Sequence, residues 1–314
     1  MIIIRTMIFN YEEYILKSEH ISWKSTLTTF LKVAETQSFT QAAALLGYSQ
    51  SAVTIQIRQL EKELQVQLFD RIGKQVSLTD KGRQLLVYAN TIIEAAEQAA
   101  SLGHDDSEPA GVFRLGTVDS LAATILPDLL SELHLRHPLI RSEIVILEGS
   151  EIVVAPRQNQ VDAVFTVSQP RTESDFLSIV EAWSPLRLIG CRDQFEPSHQ
   201  FTPAELGQER FILTENQHSY RDYFERWLAQ HDVHMEPTIT MTNPQIIVEL
   251  VSRGVGLSYL PEYTFQSALE EGRISVLDVP GLEFSDCIQL FHHRDKRVTA
   301  PMKAFFDLAR EVLG

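Results

Sequence analysis

The sequence predicts an α/β protein fronted by a small, mostly helical domain that ends in a β-hairpin. Within residues 23–79, three short apolar stripes at helical spacing precede two short strand-like runs. From Val112 onward, strand-like runs alternate with helical ones. Charge divides the chain in the same place. The whole carries a net charge of −15, yet residues 24–83 hold eight Lys and Arg against five Asp and Glu. A basic end can meet phosphate while an acidic bulk stays off it. The length, 314 residues, suffices for two or three domains with sizeable cores.

In the first helix Leu27, Phe30, Leu31, Val33 and Ala34 share one face, and Ala42, Ala43, Leu45 and Leu46 do the same in the second. Gly47 and Tyr48 break the pattern, and Ser49 opens a third helix. That helix places Val53, Ile57, Leu60 and Leu64 on one side and leaves Ser49, Gln50, Ser51, Thr54 and Arg58 toward solvent. Short donors with one arginine suit base edges and phosphates. A lone polar stripe is usually just a solvated face. Here the tight turn, the spacing and a following hairpin with Arg71 and Lys74 argue for a helix-turn-helix, which delivers one helix to a major groove about 12 Å wide.

The same residues resemble the winged helix-turn-helix of the LysR-type transcriptional regulators, in fixed register. Ser38-Phe39-Thr40 with Ala42-Ala43 resembles the start of that family's second helix. Ser49-Gln50-Ser51-Ala52-Val53-Thr54 and Gln56-Ile57-Arg58-x-Leu60-Glu61 match its recognition helix, and Leu68-Phe69-Asp70-Arg71 and Leu78-Thr79-Asp80-x-Gly82 match the two sides of its wing. The resemblance implies contacts to double-stranded operator DNA from Thr40, Gln41, Ser49, Gln50, Ser51, Thr54, Arg58, Arg71 and Lys74 within a domain spanning 23–79. Ile55 departs, standing where many relatives carry a basic residue. Residues 1–22 lie ahead of where the family usually begins and form an N-terminal extension.

Thr79 is a good N-cap for a helix over 80–103, whose apolar face, including Leu85, Leu86, Ile92 and Ile93, is long for one small domain to cover. The alternatives are packing on its own chain or pairing with a second copy. The resemblance implies the second: a linker helix that makes a homodimer, with a tetramer built by the effector domains. Residues 104–111 break every periodicity and read as a hinge. Beyond them, a parallel sheet with helices on its faces is expected in two halves, 112–168 with 270–314 and 169–269. Strands are expected at Val112–Gly116, Ser142–Leu147 and Ala163–Val167, with a helix from Leu121 to His137. The resemblance gives these halves the architecture of periplasmic solute-binding proteins, with a small-molecule effector between them.

Sheets of this kind bind ligands where strands end and helices begin. Thr117 and Ser120 follow the first strand. Thr214 to Arg221 resembles a TE-x-x-x-SYR turn of one group of these regulators, which points to Thr214, His218 and Ser219; Thr242 and Asn243 open a further helix. Each of Thr117, Ser120 and Asn243 alone reads better as a plain N-cap, and it is their coincidence with two facing halves that favours a cleft. Asp119 and Glu215 oppose a highly charged anion, so a small monoanionic carboxylate or a polar neutral metabolite is the expected effector.

Other chemistries lack support. There is no GxSxG, P-loop, HExxH or paired-carboxylate pattern, so no enzyme, cofactor or metal is expected; the competing class is a solute-binding or enzymatic α/β protein with helices as a mere tether. His134 and His137, His231 and His234, and His292-His293 lack the acidic or thiol partners of a metal site. Cys191 and Cys287 read as inert thiols. Met1 to Ile4 is too short for a signal peptide, and no apolar run spans a bilayer, so a cytoplasmic location is expected.

Overall fold

The computed structural model describes residues 23–72, 75–101, 108–170, 173–195, 199–215 and 219–314. The N-terminal extension 1–22, the end of the linker helix, the first half of the hinge, Lys74 and His218 lie outside them. The chain divides into two compact units meeting at Gly103 and His104.

In the first unit α1 (Trp23–Thr36), α2 (Phe39–Leu46) and α3 (Gln50–Leu64) pack about Leu27, Phe30, Val33, Ala42, Val53, Ile57 and Leu60. Leu45 departs from its expected inward place and is 66 % exposed. The turn between α2 and α3 is tight because Gly47 adopts φ +70, a left-handed conformation that a side chain would strain. The Gly47 and Tyr48 N–H groups then satisfy the last carbonyls of α2 at Ala44 and Ala43. Strands β1 (Phe69–Ile72) and β2 (Gln75–Leu78) form the antiparallel wing, and α4 (Asp80–Ser101) follows it. Phe69 anchors the wing against Phe30 and Phe39, with ring centroids 5.4 and 5.8 Å away. Gly82 is required by close approach, since a Cβ there would collide with the Leu68 carbonyl.

The second unit is built on one mixed sheet rather than two parallel ones. Its strands are β3 (Gly111–Thr117), β4 (Ile140–Ile146), β5 (Ala163–Ser168), β6 (Phe176–Cys191), β9 (Ser258–Pro261), β10 (Ile274–Leu277) and β11 (Phe284–His293). β3 pairs parallel with β4 and β5, whereas β11 runs antiparallel to both β5 and β6. The expected single helix after β3 is two, α5 (Asp119–Ala122) and α6 (Ile125–Arg136), broken at Ala123 and Thr124. The remaining helices are α7 (Glu151–Arg157), α8 (Pro203–Leu206), α9 (Ser219–Gln230), α10 (Pro244–Ser252), α11 (Gln266–Glu270) and α12 (Ala300–Leu313). A short parallel pair, β7 (Ile212–Leu213) and β8 (Ile239–Thr240), completes the second half.

Two large cores and a smaller cluster about Leu147, Val164 and Phe291 hang on this sheet. One gathers Phe113, Leu115, Leu129 and Phe165 with Phe305 and Phe306 of α12; the other gathers Leu186, Phe211, Phe224, Ile247, Tyr259 and Leu277. The β6–β11 ribbon passes through both. On one face, Ala182 and Ile288 lie at the first core and Leu186 and Phe284 at the second, with the buried polar pair Ser184 and Asp286 between them. The halves therefore exchange near residues 184 and 286, not at 169 and 269. β6 runs from Phe176 to Cys191 through Pro185, which the ribbon admits where β6 has β11 on only one side.

A buried ion pair closes the first half. The Lys296 ammonium lies 2.7 Å from Asp162, whose other oxygen accepts from the Arg114 N–H at 2.7 Å, both side chains being under 10 % exposed. Removing either partner leaves a buried charge, at a cost of about 3 kcal/mol or more.

His292 is buried beneath Phe306, stacked at 5.6 Å, and its Nδ1 donates to the His293 carbonyl at 2.8 Å. Burial, with help from nearby His293 and Lys296, holds its pKa below the ordinary histidine value. The unfolded chain takes up that proton more readily, so the contribution is complete above pH about 6.5 and declines as pH falls below it. Thermal unfolding between pH 7.5 and 5.5 should show a loss of Tm that is smaller in His292→Gln; equal losses in the two proteins refute the assignment.

Candidate functional site

The first site is the outer face of α3. Ser49 caps it, its hydroxyl accepting from the Ala52 N–H at 3.2 Å and lying 2.9 Å from the Ser51 hydroxyl. Gln50, Ser51, Ile55, Arg58, Gln59 and Lys62 form one exposed stripe, and Thr40 and Gln41 are exposed at the start of α2. Thr54 is half-buried, its hydroxyl donating to the Gln50 carbonyl at 2.9 Å. Two polar contacts stiffen this face. The Thr29 hydroxyl donates to Gln56 at 2.7 Å, tying α1 to α3, and the Glu61 carboxylate accepts from the Leu68 and Phe69 N–H groups at 2.9 and 3.3 Å, tying α3 to the wing. Arg71 sits on β1 opposite Val76. A rigid, capped helix with an exposed polar stripe beside a hairpin can enter a DNA groove without prior rearrangement.

The second site lies where the two halves of the second unit meet. Thr117 ends β3 fully buried, and its hydroxyl has no hydrogen-bond partner among the described residues. It is not an N-cap: that position of α5 belongs to Val118, which offers no side-chain bond. The Ser120 hydroxyl, in α5, accepts from the Tyr263 hydroxyl at 3.0 Å across the junction. Thr214 is buried, and its carbonyl accepts at 2.5 Å from the buried Arg221 guanidinium, which Glu225 also engages. Ser219 opens α9. Asn243 is the plain N-cap of the alternative reading, accepting from the Gln245 N–H at 2.9 Å, and Thr242 is exposed.

Sequence reasoning missed the groups that give this region its character. Gln245 buries both ends of its amide without a partner among the described residues. Asp286 is 0 % exposed, and its charge, after burial itself, helps push the hydroxyls of Tyr220, Tyr259 and Tyr263 above the ordinary tyrosine range. Asp119 and Glu215, expected to set the charge here, are both exposed. The carboxylate that governs the junction is Asp286. It is legible only as the one acidic residue of β11.

The helix meant for dimerisation is partly spoken for. Leu86 and Ile93 are buried in the first unit's own core, and Leu85 packs partly against it. This corrects the expectation that the four residues form one free seam. Tyr88 and Ile92 are the exposed large apolar residues of α4, at 66 and 43 %.

The thiols are far apart. Cys287 pairs in register with Trp183, and Cys191 lies eight residues further along β6, roughly 26 Å away. Burial, with the nearby Glu181 and Asp286 charges, pushes the Cys287 thiol up to about 11, and the Cys191 thiol donates to the Ser252 carbonyl at 3.4 Å. Neither is placed for disulfide exchange. Among the described residues there is no group of three His, Cys, Asp or Glu able to hold a metal, and no helix long and apolar enough to cross a membrane.

Comparison with known proteins adds independent findings. Residues 106–314 match the family model described as the LysR substrate binding domain, and residues 25–83 match the bacterial regulatory helix-turn-helix protein, lysR family. An uncharacterized HTH-type transcriptional regulator of Bacillus subtilis, YwqM, is 31 % identical over 291 residues, covering 91 % of this chain and 97 % of the relative. A RuBisCO operon transcriptional regulator of Allochromatium vinosum is 29 % identical, covering 91 % of this chain and 94 % of its own. Among solved structures, a full-length OxyR variant from Pseudomonas aeruginosa aligns with a TM-score of 0.67 at 20 % identity, covering 93 and 95 % of the two chains. Full-length CbnR in complex with its target DNA aligns at 0.61 and 19 %, covering 92 and 99 %.

Proposed function

The chain belongs to the LysR family of transcriptional regulators, and from that membership we propose which of its residues meet DNA, which meet the effector and which join two copies. It is a DNA-binding regulator of transcription rather than an enzyme, and its C-terminal unit is an effector-binding domain. Such a regulator works where the DNA is, and we place it in the cytoplasm.

In this reading Gln50, Ser51, Thr54 and Arg58 face base edges, while Ser49, Thr40, Gln41, Arg71 and Lys74 hold phosphates. The observation that carries it is the exposed stripe on α3, capped by Ser49 and locked to the wing through Glu61. Gln50→Ala and Arg58→Ala should each weaken binding to the operator by about 1 to 3 kcal/mol with Tm unchanged. Arg71→Ala and Lys74→Ala should weaken binding to every sequence and flatten its salt dependence. Gel shifts on DNA upstream of the protein's own gene, repeated at rising salt, measure both; unchanged operator affinity in the first pair removes α3 from the groove.

A homodimer through α4 places two reading helices on one operator, with tetramers built by the effector domains. Tyr88 and Ile92 are the α4 residues a partner can cover, with Leu85 at the margin. Ile92→Glu should halve the mass seen by light scattering while the unfolding temperature holds. A dimer that persists moves the interface off α4.

We assign the effector cleft to Thr117, Ser120, Thr214, His218 and Ser219, and add Tyr263, Gln245 and Asp286, with Thr242 and Asn243 at its margin. The support is the buried hydroxyl of Thr117 and the buried amide of Gln245, both unpartnered among the described residues, and the hydrogen bond from Tyr263 to Ser120. Asp286 disfavours anionic charge beside it, so the ligand is a small polar metabolite, neutral or with a single carboxylate seated toward the Thr117 turn. Thermal-shift screening with monocarboxylates, dicarboxylates, amino acids and polyols should find a compound that stabilises the wild type. Thr117→Val with Gln245→Leu should abolish the shift; equal stabilisation of both proteins places the ligand elsewhere.

A further inference from the structure

The exposed stripe of α3 contains one residue whose chemistry differs from all its neighbours. Ser51, Ile55, Arg58, Gln59 and Lys62 succeed one another at helical spacing on the outer face, and every one except Ile55 carries a donor or an acceptor. Ile55 is 65 % exposed, whereas Val53, Ile57 and Leu60 on the inner face are all within 1 % of complete burial. Helix propensity does not favour an isoleucine here, because β-branching restricts χ1 and ranks it below straight-chain residues. Nothing in the core of its own domain covers it. Its surroundings, Gln50 and Ser51 one turn before and Arg58 one turn after, are groups assigned to the groove floor, so the surface that covers Ile55 is the one that covers them.

A major groove offers one apolar feature, the C5-methyl group of thymine, while every other base edge presents hydrogen-bond donors and acceptors. A branched aliphatic side chain has no donor to satisfy the polar edges. Pressed against guanine or cytosine, it leaves their groups without water and without a partner. Against thymine it covers a methyl group and excludes water favourably. Glutamine can read adenine at N6 and N7, so Gln50 or Gln59 and Ile55, one turn apart, suit a short A·T-containing step.

We propose that Ile55 is a specificity-determining residue of operator recognition, packing on the C5-methyl of a thymine in each half-site. The proposal rests on the assignment of α3 to the major groove. Two recognition elements then share one helix: a polar one that any hydrogen-bonding base can probe, and an apolar one that answers only to a methyl group.

The test uses the full-length protein and the operator it selects from a random duplex pool. Each thymine is replaced in turn by deoxyuridine, which removes only the C5-methyl. At one thymine per half-site, wild-type affinity should fall about fourfold, the effect of uncovering one methyl-sized apolar group. Ile55→Ala should bind the unmodified operator correspondingly less tightly and be indifferent to deoxyuridine at that position, and Ile55→Val should retain part of the response. Because Ile55 is exposed, all three proteins should share one unfolding temperature. A deoxyuridine scan that is flat for the wild type overturns the proposal, as does an Ile55→Ala protein that keeps the full response. Gln50→Ala and Arg58→Ala on the same duplexes separate the two layers. If they weaken binding while the scan is flat, only the methyl contact is wrong; if they have no effect, the assignment of α3 fails and takes this proposal with it.

Discussion

The constraint on which the second unit depends is the continuity of the β6–β11 ribbon. Two antiparallel strands run out of one hydrophobic core and into the other without a loop between them, their pairing continuous except for one register shift between Leu290 and Phe291. Along one face the side chains pass from Ala182 and Ile288 through Ser184 and Asp286 to Leu186 and Phe284. The polar pair sits where neither core can cover it with aliphatic groups. Burial first, and the Asp286 charge after it, raise the hydroxyls of Tyr220, Tyr259 and Tyr263 above the ordinary tyrosine range. The character of the cleft thus follows from where the ribbon crosses.

In the first unit the comparable role falls to Glu61. One carboxylate collects two backbone N–H groups from the start of the wing, and the geometry of hairpin against recognition helix is fixed by those bonds rather than by side-chain packing alone. Gly82 permits α4 to start against the Leu68 carbonyl. The register of residues 61, 68 and 82 therefore has a mechanical reason.

How far the sequence could be read depended on the range of the interactions. The helices of the first unit were legible because their apolar spacing, the Ser38 and Ser49 caps and the Gly47 turn are local signals. Leu86 and Ile93 were misread because the face of α4 looks unpartnered until α1, some fifty residues earlier, is packed against it. Thr117 and Ser120 were visible as a strand-to-helix turn. Tyr263 and Asp286 were not, since one bonds Ser120 and the other pairs with Ser184, partners distant in the chain. Asp119 and Glu215 show the converse: acidic residues adjacent in sequence to the right turn, but turned to solvent. The halves were placed one strand out because a proline interrupts the apolar run of β6.

The crossing ribbon also imposes an order on synthesis. The first half of the second unit is discontinuous: Phe113 and Leu115 near its start pack on Phe305 and Phe306 at the end of the chain. A ribosome delivers the intervening residues first, including everything needed for the second core from Leu186 to Leu282. The inserted half can therefore consolidate while β3, β4 and β5 still lack α12 and the outer stretch of β11. Until those last thirty residues emerge, the sheet presents an unpaired edge at β5, the kind of surface on which nascent chains associate with one another or are held by chaperones. C-terminal truncation of this regulator would trap the nascent state, leaving one half folded and the other open.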